Sequence, residues 1–127
     1  LAAHDVLAGK GVRSRVVSLP SWEIFAAQDA AYRDSVLPPG VRARVGVEMA
    51  SSFGWERWVG LDGAVVGLHS FGASAPAKDV LAEFGFTTDA VVAAAPHPGS
   101  FLRTEPWSPV LCGLQILCQT GAYAYSP

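Results

Sequence analysis

Residues 12–38 read VRSRVVSLPSWEIFAAQDAAYRDSVLP. Val12, Val16, Val17 and Leu19 alternate and then run apolar, the pattern of a strand covered on both faces, as in a parallel sheet. Pro20 stops the strand. Ser21 is placed to cap a helix, and Glu23 in the first turn suits the positive end of its dipole. Trp22, Phe25, Ala26, Tyr32 and Val36 line one face at helical spacing. Asp29 interrupts that stripe. It either pairs with Arg33, worth roughly a few tenths of a kcal/mol, or is a carboxylate held at a domain contact. Pro38, Pro39 and Gly40 end the helix. Strand, turn and amphipathic helix in this order predict an α/β domain.

Upstream, Leu1 to Lys10 is rich in helix formers and ends at Gly9 and Gly11. The chain opens on Leu1 inside this run with no cap before it, which leads us to expect a truncated N-terminus. Downstream, Val41 to Glu48 alternates. Val41, Ala43, Val45 and Val47 share one face, and Arg42 and Arg44 the other, so a wet or ion-paired second face is expected. Ser51 or Ser52 is placed to cap a short helix, Phe53 to Val59, carrying Trp55 and Trp58. Tryptophans so close together are core or interface anchors. Ala64 to Leu68 is a third strand. Ser74 is expected to cap Ala75 to Phe84, Gly85 and Phe86 to close that helix in a Schellman motif, and Thr88 to cap Asp89 to Ala95. From Pro96 onward prolines interrupt the chain, and residues 96–127 are expected to be irregular.

The length of 127 residues allows one domain, and 50% hydrophobic residues allow a real core. A net charge of −2 without a basic run speaks against nucleic acid. No apolar run approaches the roughly 18 residues of a membrane helix, and no signal peptide opens the chain. Cys112 and Cys118 fit a reducing cytoplasm better than a disulfide scaffold.

The residues carry little chemistry. GxSxG, GxGxxG, a P-loop and HExxH are all missing. The cysteines, with five residues between them, match no zinc spacing. His69 follows a buried strand, where α/β sheets place ligands, although a loop histidine satisfied by a backbone partner explains it as well. His69, Ser70, Gly72 and Ser74 form a candidate anion loop leading into a helix N-terminus, where ordinary capping is the simpler reading. No carboxylate pair suggests acid–base work. On residues alone no catalytic, cofactor-binding or metal residue is assigned.

Three blocks sharpen this reading: SLPSWEIFAAQDAAYRDSVLP (18–38), SSFGWERWVGLDGAVVG (51–67) and FGASAPAKDVLAEFGFT (71–87). With them, residues 1–95 resemble the C-terminal, third domain of transketolases. The pyruvate dehydrogenase beta subunits and deoxyxylulose phosphate synthase have related domains, but the blocks fit transketolase better. The resemblance implies a three-layer α/β/α sandwich on a mixed sheet of five strands in the order 1-3-2-4-5, the first antiparallel. The strands near 12–19, 41–48 and 64–69 would be the third, fourth and fifth. The first two would be absent, leaving a gap between 12–19 and 41–48. The isolated chain would then be unstable, or these two strands would pair directly.

The resemblance also implies a parent enzyme that moves a two-carbon ketol unit from a ketose phosphate to an aldose phosphate. That enzyme is a cytoplasmic homodimer of the pentose phosphate pathway and carbon fixation, using thiamine diphosphate with Mg2+ or Ca2+. Its cofactor and sugar-phosphate residues lie in the other two domains, so none transfers here. This piece would serve packing and subunit contacts, with Trp22, Asp29, Trp55 and Trp58 as contact candidates. The alternative is a stand-alone module that keeps the fold and binds an anion or a protein. Residues 96–127 resemble nothing in the family.

Overall fold

The computed structural model describes residues 1–95 and 114–118. Within them the chain runs α1 (Ala2–Gly9), β1 (Ser14–Ser18), α2 (Trp22–Ala26), α3 (Ala30–Val36), β2 (Arg44–Ser51), α4 (Glu56–Val59), β3 (Ala64–Leu68), α5 (Ala77–Glu83), α6 (Thr88–Ala94) and β4 (Leu114–Cys118). The four described strands are all parallel and lie in the order β1-β4-β2-β3.

Alternation along the strands divides the interior into two cores. Val17, Leu19 and Leu117 point to one face, where they meet Phe25, Leu37, Trp55, Trp58 and Val59 from the α2–α4 side. Val45 and Ile116 point to the other, against Ala3 and Leu7 of α1 and Val91 of α6. The result is the three-layer α/β/α arrangement. The crossovers from β1 to β2 and from β2 to β3 move one way along the sheet and place their helices on one face. The return from β3 to β4 carries α6 on the other face, as a constant crossover hand requires.

The helix expected after Pro20 is two helices. Ser21 caps α2 as read, accepting from the Ile24 amide at 3.2 Å. Asp29 then starts a new helix. Its Oδ1 accepts the Tyr32 amide at 2.8 Å, so Asp29 is an N-cap and the expected Arg33 pair is replaced. Arg33 instead donates to the Ala26 carbonyl at 3.0 Å, closing the end of α2. Two helix ends meeting at 27–29 thus satisfy each other through side chains.

Several other expectations are corrected. The second face of β2 is ion-paired at its start, where the exposed Arg42 meets Asp62 at 2.5 Å, and is covered from Arg44 to Glu48. Gly46 is buried there under the Trp55 ring, where an added Cβ would lie 2.8 Å from Trp55 Cε3. Arg44 is tucked in without a carboxylate and donates to the carbonyls of Trp58 (2.8 Å), Leu37 (3.2 Å) and Pro38 (2.9 Å). Three carbonyls at the ends of α3 and α4 suit its fork of donors. The helix expected at Phe53 begins only at Glu56. Pro76, not Ser74, precedes α5, and Thr87, not Thr88, caps α6, accepting from Ala90 at 3.1 Å. The Schellman close of α5 holds: Gly85 has φ +75°, its amide reaches the Ala82 carbonyl at 3.1 Å, and the Phe86 amide reaches Leu81 at 2.8 Å.

The largest correction concerns the gap. Neither an open slot nor a direct β1–β2 pair is found. Residues 114–118, expected to be irregular, form the strand between them. The rest of the tail lies outside the described residues, including Cys112.

Candidate functional site

Because all described strands are parallel, their carboxyl ends share one edge. That edge gathers Leu19–Ser21 after β1, Glu48–Phe53 at the end of β2, and His69–Ser74 after β3. It is the edge where open α/β sheets present ligands.

Its most unusual group is Glu48. The residue is 9% exposed, and burial pushes its carboxyl above the ordinary range. The Met49 and Ala50 amides pull the other way. The Trp55 indole N–H faces the carboxyl but closes no hydrogen bond to it. Nothing in the alternation of β2 singled out Glu48. The available signal was its place two and four residues beyond Gly46 and Arg44, on the same face.

The four contact candidates fall in two kinds of place. Trp55 is wholly buried, with Trp22 edge-on to it at 5.3 Å, and Trp58 lies 6.4 Å from Trp22. Phe25 stands 5.2 Å from Trp58 and 6.3 Å from Tyr32, and the Arg57 guanidinium covers the Trp58 ring at 4.6 Å. These rings are this chain's own core, each pair adding about 0.5–1.5 kcal/mol beyond burial. Asp29 is exposed and occupied by its capping role. Beside them, Glu23 is held below the ordinary carboxylate range by its own backbone amide, then by the Ser21 hydroxyl and Arg57.

The anion-loop candidates do not line the hollow described below. His69, Ser70, Gly72 and Ser74 are all exposed, and the Ser70 hydroxyl donates to the neighbouring Phe71 carbonyl at 3.4 Å. An apolar, half-open hollow of about 230 Å³ lies elsewhere, on the α1–α6 face, between Ala3, Val16, Val47, Val91 and Ile116. Cys118 reaches it with a thiol whose pKa burial raises. Thiamine diphosphate needs a divalent cation in an oxygen cage. Among the described residues no three His, Cys, Asp or Glu side chains come together. No described helix is long and apolar enough to cross a membrane.

The family described as the transketolase-like TK C-terminal domain matches residues 1–87. The chain belongs to the transketolase C-terminal domain family. Transketolase 7 of Craterostigma plantagineum is 57% identical over 93 residues, and Transketolase 1 of Escherichia coli 55% over 95. These stretches are 73% and 75% of this chain but 14% of each relative. The chain therefore spans about one seventh of the length of these transketolases. Among solved structures, transketolase from Leishmania mexicana superposes with a TM-score of 0.66 at 46% identity, covering 73% of this chain and 13% of that one. Transketolase from Pichia stipitis in complex with sedoheptulose-7-phosphate gives 0.65 at 39%, covering 74% and 13%. Both share the α/β sandwich with this transketolase domain.

Proposed function

We propose that this chain acts as the third domain of a transketolase, in an enzyme that transfers a two-carbon ketol unit from a ketose phosphate to an aldose phosphate. The observation that carries this reading is 46% identity with a TM-score of 0.66 to a transketolase over nearly three quarters of the chain. In that setting thiamine diphosphate and its divalent metal supply the carbanion chemistry from the other domains. The enzyme is read as a cytoplasmic homodimer of the pentose phosphate pathway.

The role of this domain is packing and contact with the rest of the enzyme. Ile24 and Phe71 follow β1 and β3, Met49 lies near the end of β2 and Phe53 just beyond it, and all four are exposed, Phe53 and Phe71 at 88% and 99%. Large apolar side chains grouped on one edge suit a protein interface. Trp22 and Trp58 stiffen the platform beneath them, and Asp29 fixes the turn between α2 and α3.

The test is a graft. The 95-residue stretch of Transketolase 1 of Escherichia coli that aligns with this chain is replaced by its counterpart from this chain. Ketol transfer within about threefold of the parent, with unchanged dimer mass, is the expected result. A graft that folds, dimerises and binds thiamine diphosphate yet turns over more than about tenfold slower loses ~1.4 kcal/mol at the transition state. That outcome would overturn the purely structural role.

A further inference from the structure

β4 lies outside residues 1–87, which match the family, and yet it is central in the sheet. It is hydrogen-bonded on both sides, Ser14–Ser18 against Leu114–Cys118 and Arg44–Val47 against Gln115–Cys118. Among the described strands, β1 has no other neighbour. Removing β4 would leave β1 and β2 two strand spacings apart, roughly 9–10 Å.

Residues 115–117 are all buried: Gln115 at 2%, Ile116 at 5% and Leu117 at 0%. Leu117 enters the aromatic core and Ile116 the aliphatic one, so both cores cross this one segment. The remaining contacts fix its position. The Gln115 amide donates to the Ala43 carbonyl at 2.9 Å, and the Leu19 amide to the Cys118 carbonyl at 2.9 Å. The Gln115 side chain donates to the Val36 carbonyl at the end of α3, at 3.2 Å, and Arg15 donates to that same carbonyl. A slip by one residue would put the Gln115 amide among Ala3, Leu7 and Val91, and so the register is specified.

We propose that the space between β1 and β2 is a strand-acceptor slot, and that residues 114–118 are its intramolecular donor strand. The slot recognises a parallel extended segment by two backbone ladders, an amide side chain read by the end of α3, and one aliphatic side chain for each core. This is β-augmentation chemistry applied to both edges at once. It requires no partner of fixed sequence, only that pattern. The proposal does not rest on the transketolase activity inferred above.

The experiment compares hydrogen exchange of the full chain with that of its Leu117→Pro variant, each with and without a synthetic peptide of residues 111–120, LCGLQILCQT. The variant is expected to lose protection over 14–19 and 44–47. Excess peptide is expected to slow exchange there by at least about tenfold, toward the level of the unsubstituted chain. Full protection in the variant without peptide would show that the slot needs no donor. Lost protection that the peptide does not restore, including in a variant that unfolds outright, would show that the slot accepts no separate strand. A concentration-dependent dimer whose protection in 14–19 falls on dilution would assign the donor to a second copy. Each of these three results overturns the proposal.

Discussion

The two faces of the sheet are built from different materials. On the α2–α4 face, Trp22, Phe25, Trp55 and Trp58 form one connected set of rings, Trp22 edge-on to Trp55 and the Trp22–Trp58 and Phe25–Trp58 pairs tilted. On the α1–α6 face, Ala3, Leu7, Val45, Val91 and Ile116 form an aliphatic core, and a half-open hollow of about 230 Å³ lies beside it, lined by Ala3, Val16, Val47, Val91 and Ile116. The aromatic face is rigid because plates can be neither shortened nor turned without losing several contacts together. The aliphatic face has slack that small side chains can take up. Fit on one face and adaptability on the other lead to different responses to the same size of change.

The sharpest way to expose this difference is Trp55→Ala. Trp55 is 0% exposed and covers Gly46, so its loss opens a void ringed by indoles that cannot collapse into it. We expect a loss of about 3–5 kcal/mol in denaturant unfolding. A loss below ~1 kcal/mol would show that the aromatic face relaxes as readily as the other. Smaller, and opposite in sign between sites, is a pair of methyl additions. Gly46→Ala drives a Cβ to 2.8 Å from the Trp55 ring and is expected to cost about 1–3 kcal/mol. Gly9→Ala meets nothing within 4 Å in α1 and is expected to stabilise by about 0.5–1 kcal/mol. Equal effects at the two glycines would erase the distinction.

The smallest effect is a pH dependence at the rim of the aromatic face. Burial raises the folded pKa of Glu48 above its ordinary value of 4.5. The folded state therefore holds the proton longer than the unfolded one, and stability falls as pH rises through that window. Glu48→Gln removes the ionisation. It is expected to raise the melting temperature at pH 7 relative to the unsubstituted chain, with the gain vanishing below pH 4.5. A gain that persists unchanged at lower pH would place its origin elsewhere.

The contrast also explains what the sequence disclosed. β1, β2 and β3 were legible because each carries its own apolar period next to a turn signal, and β3 was read at its observed limits, Ala64 to Leu68. The caps at Ser21 and the close at Gly85 were legible because they are local. Asp29 interrupts the helical stripe, but the apolar spacing resumes at Tyr32, and so the break between α2 and α3 was hidden. Trp55 and Trp58 announced themselves as anchors, but residue type alone does not say whether the anchored surface is inside or outside the chain. Glu48 was missed because its burial depends on Trp55 lying over the strand. β4 was missed because a five-residue stretch downstream of several prolines, with Gln115 among its apolar residues, acquires its meaning only from two partners far away in the chain. The candidate site fared likewise: the edge holding His69 was placed by strand order, whereas nothing local foretold the exposed apolar group of Ile24, Met49, Phe53 and Phe71.

The position of β4 has a consequence for synthesis. Ser14 pairs with Leu114, 100 positions later, and β1 has no earlier strand partner among those described. At about 5–20 residues per second, a ribosome takes roughly 5–20 s to make the intervening chain. Of the described strands, β1 and then β2 are made before the one that joins them. The ladders that β4 makes with β1 and β2 therefore form only once residues 114–118 have been made, and until then the two facing edges have to be kept from other pairings.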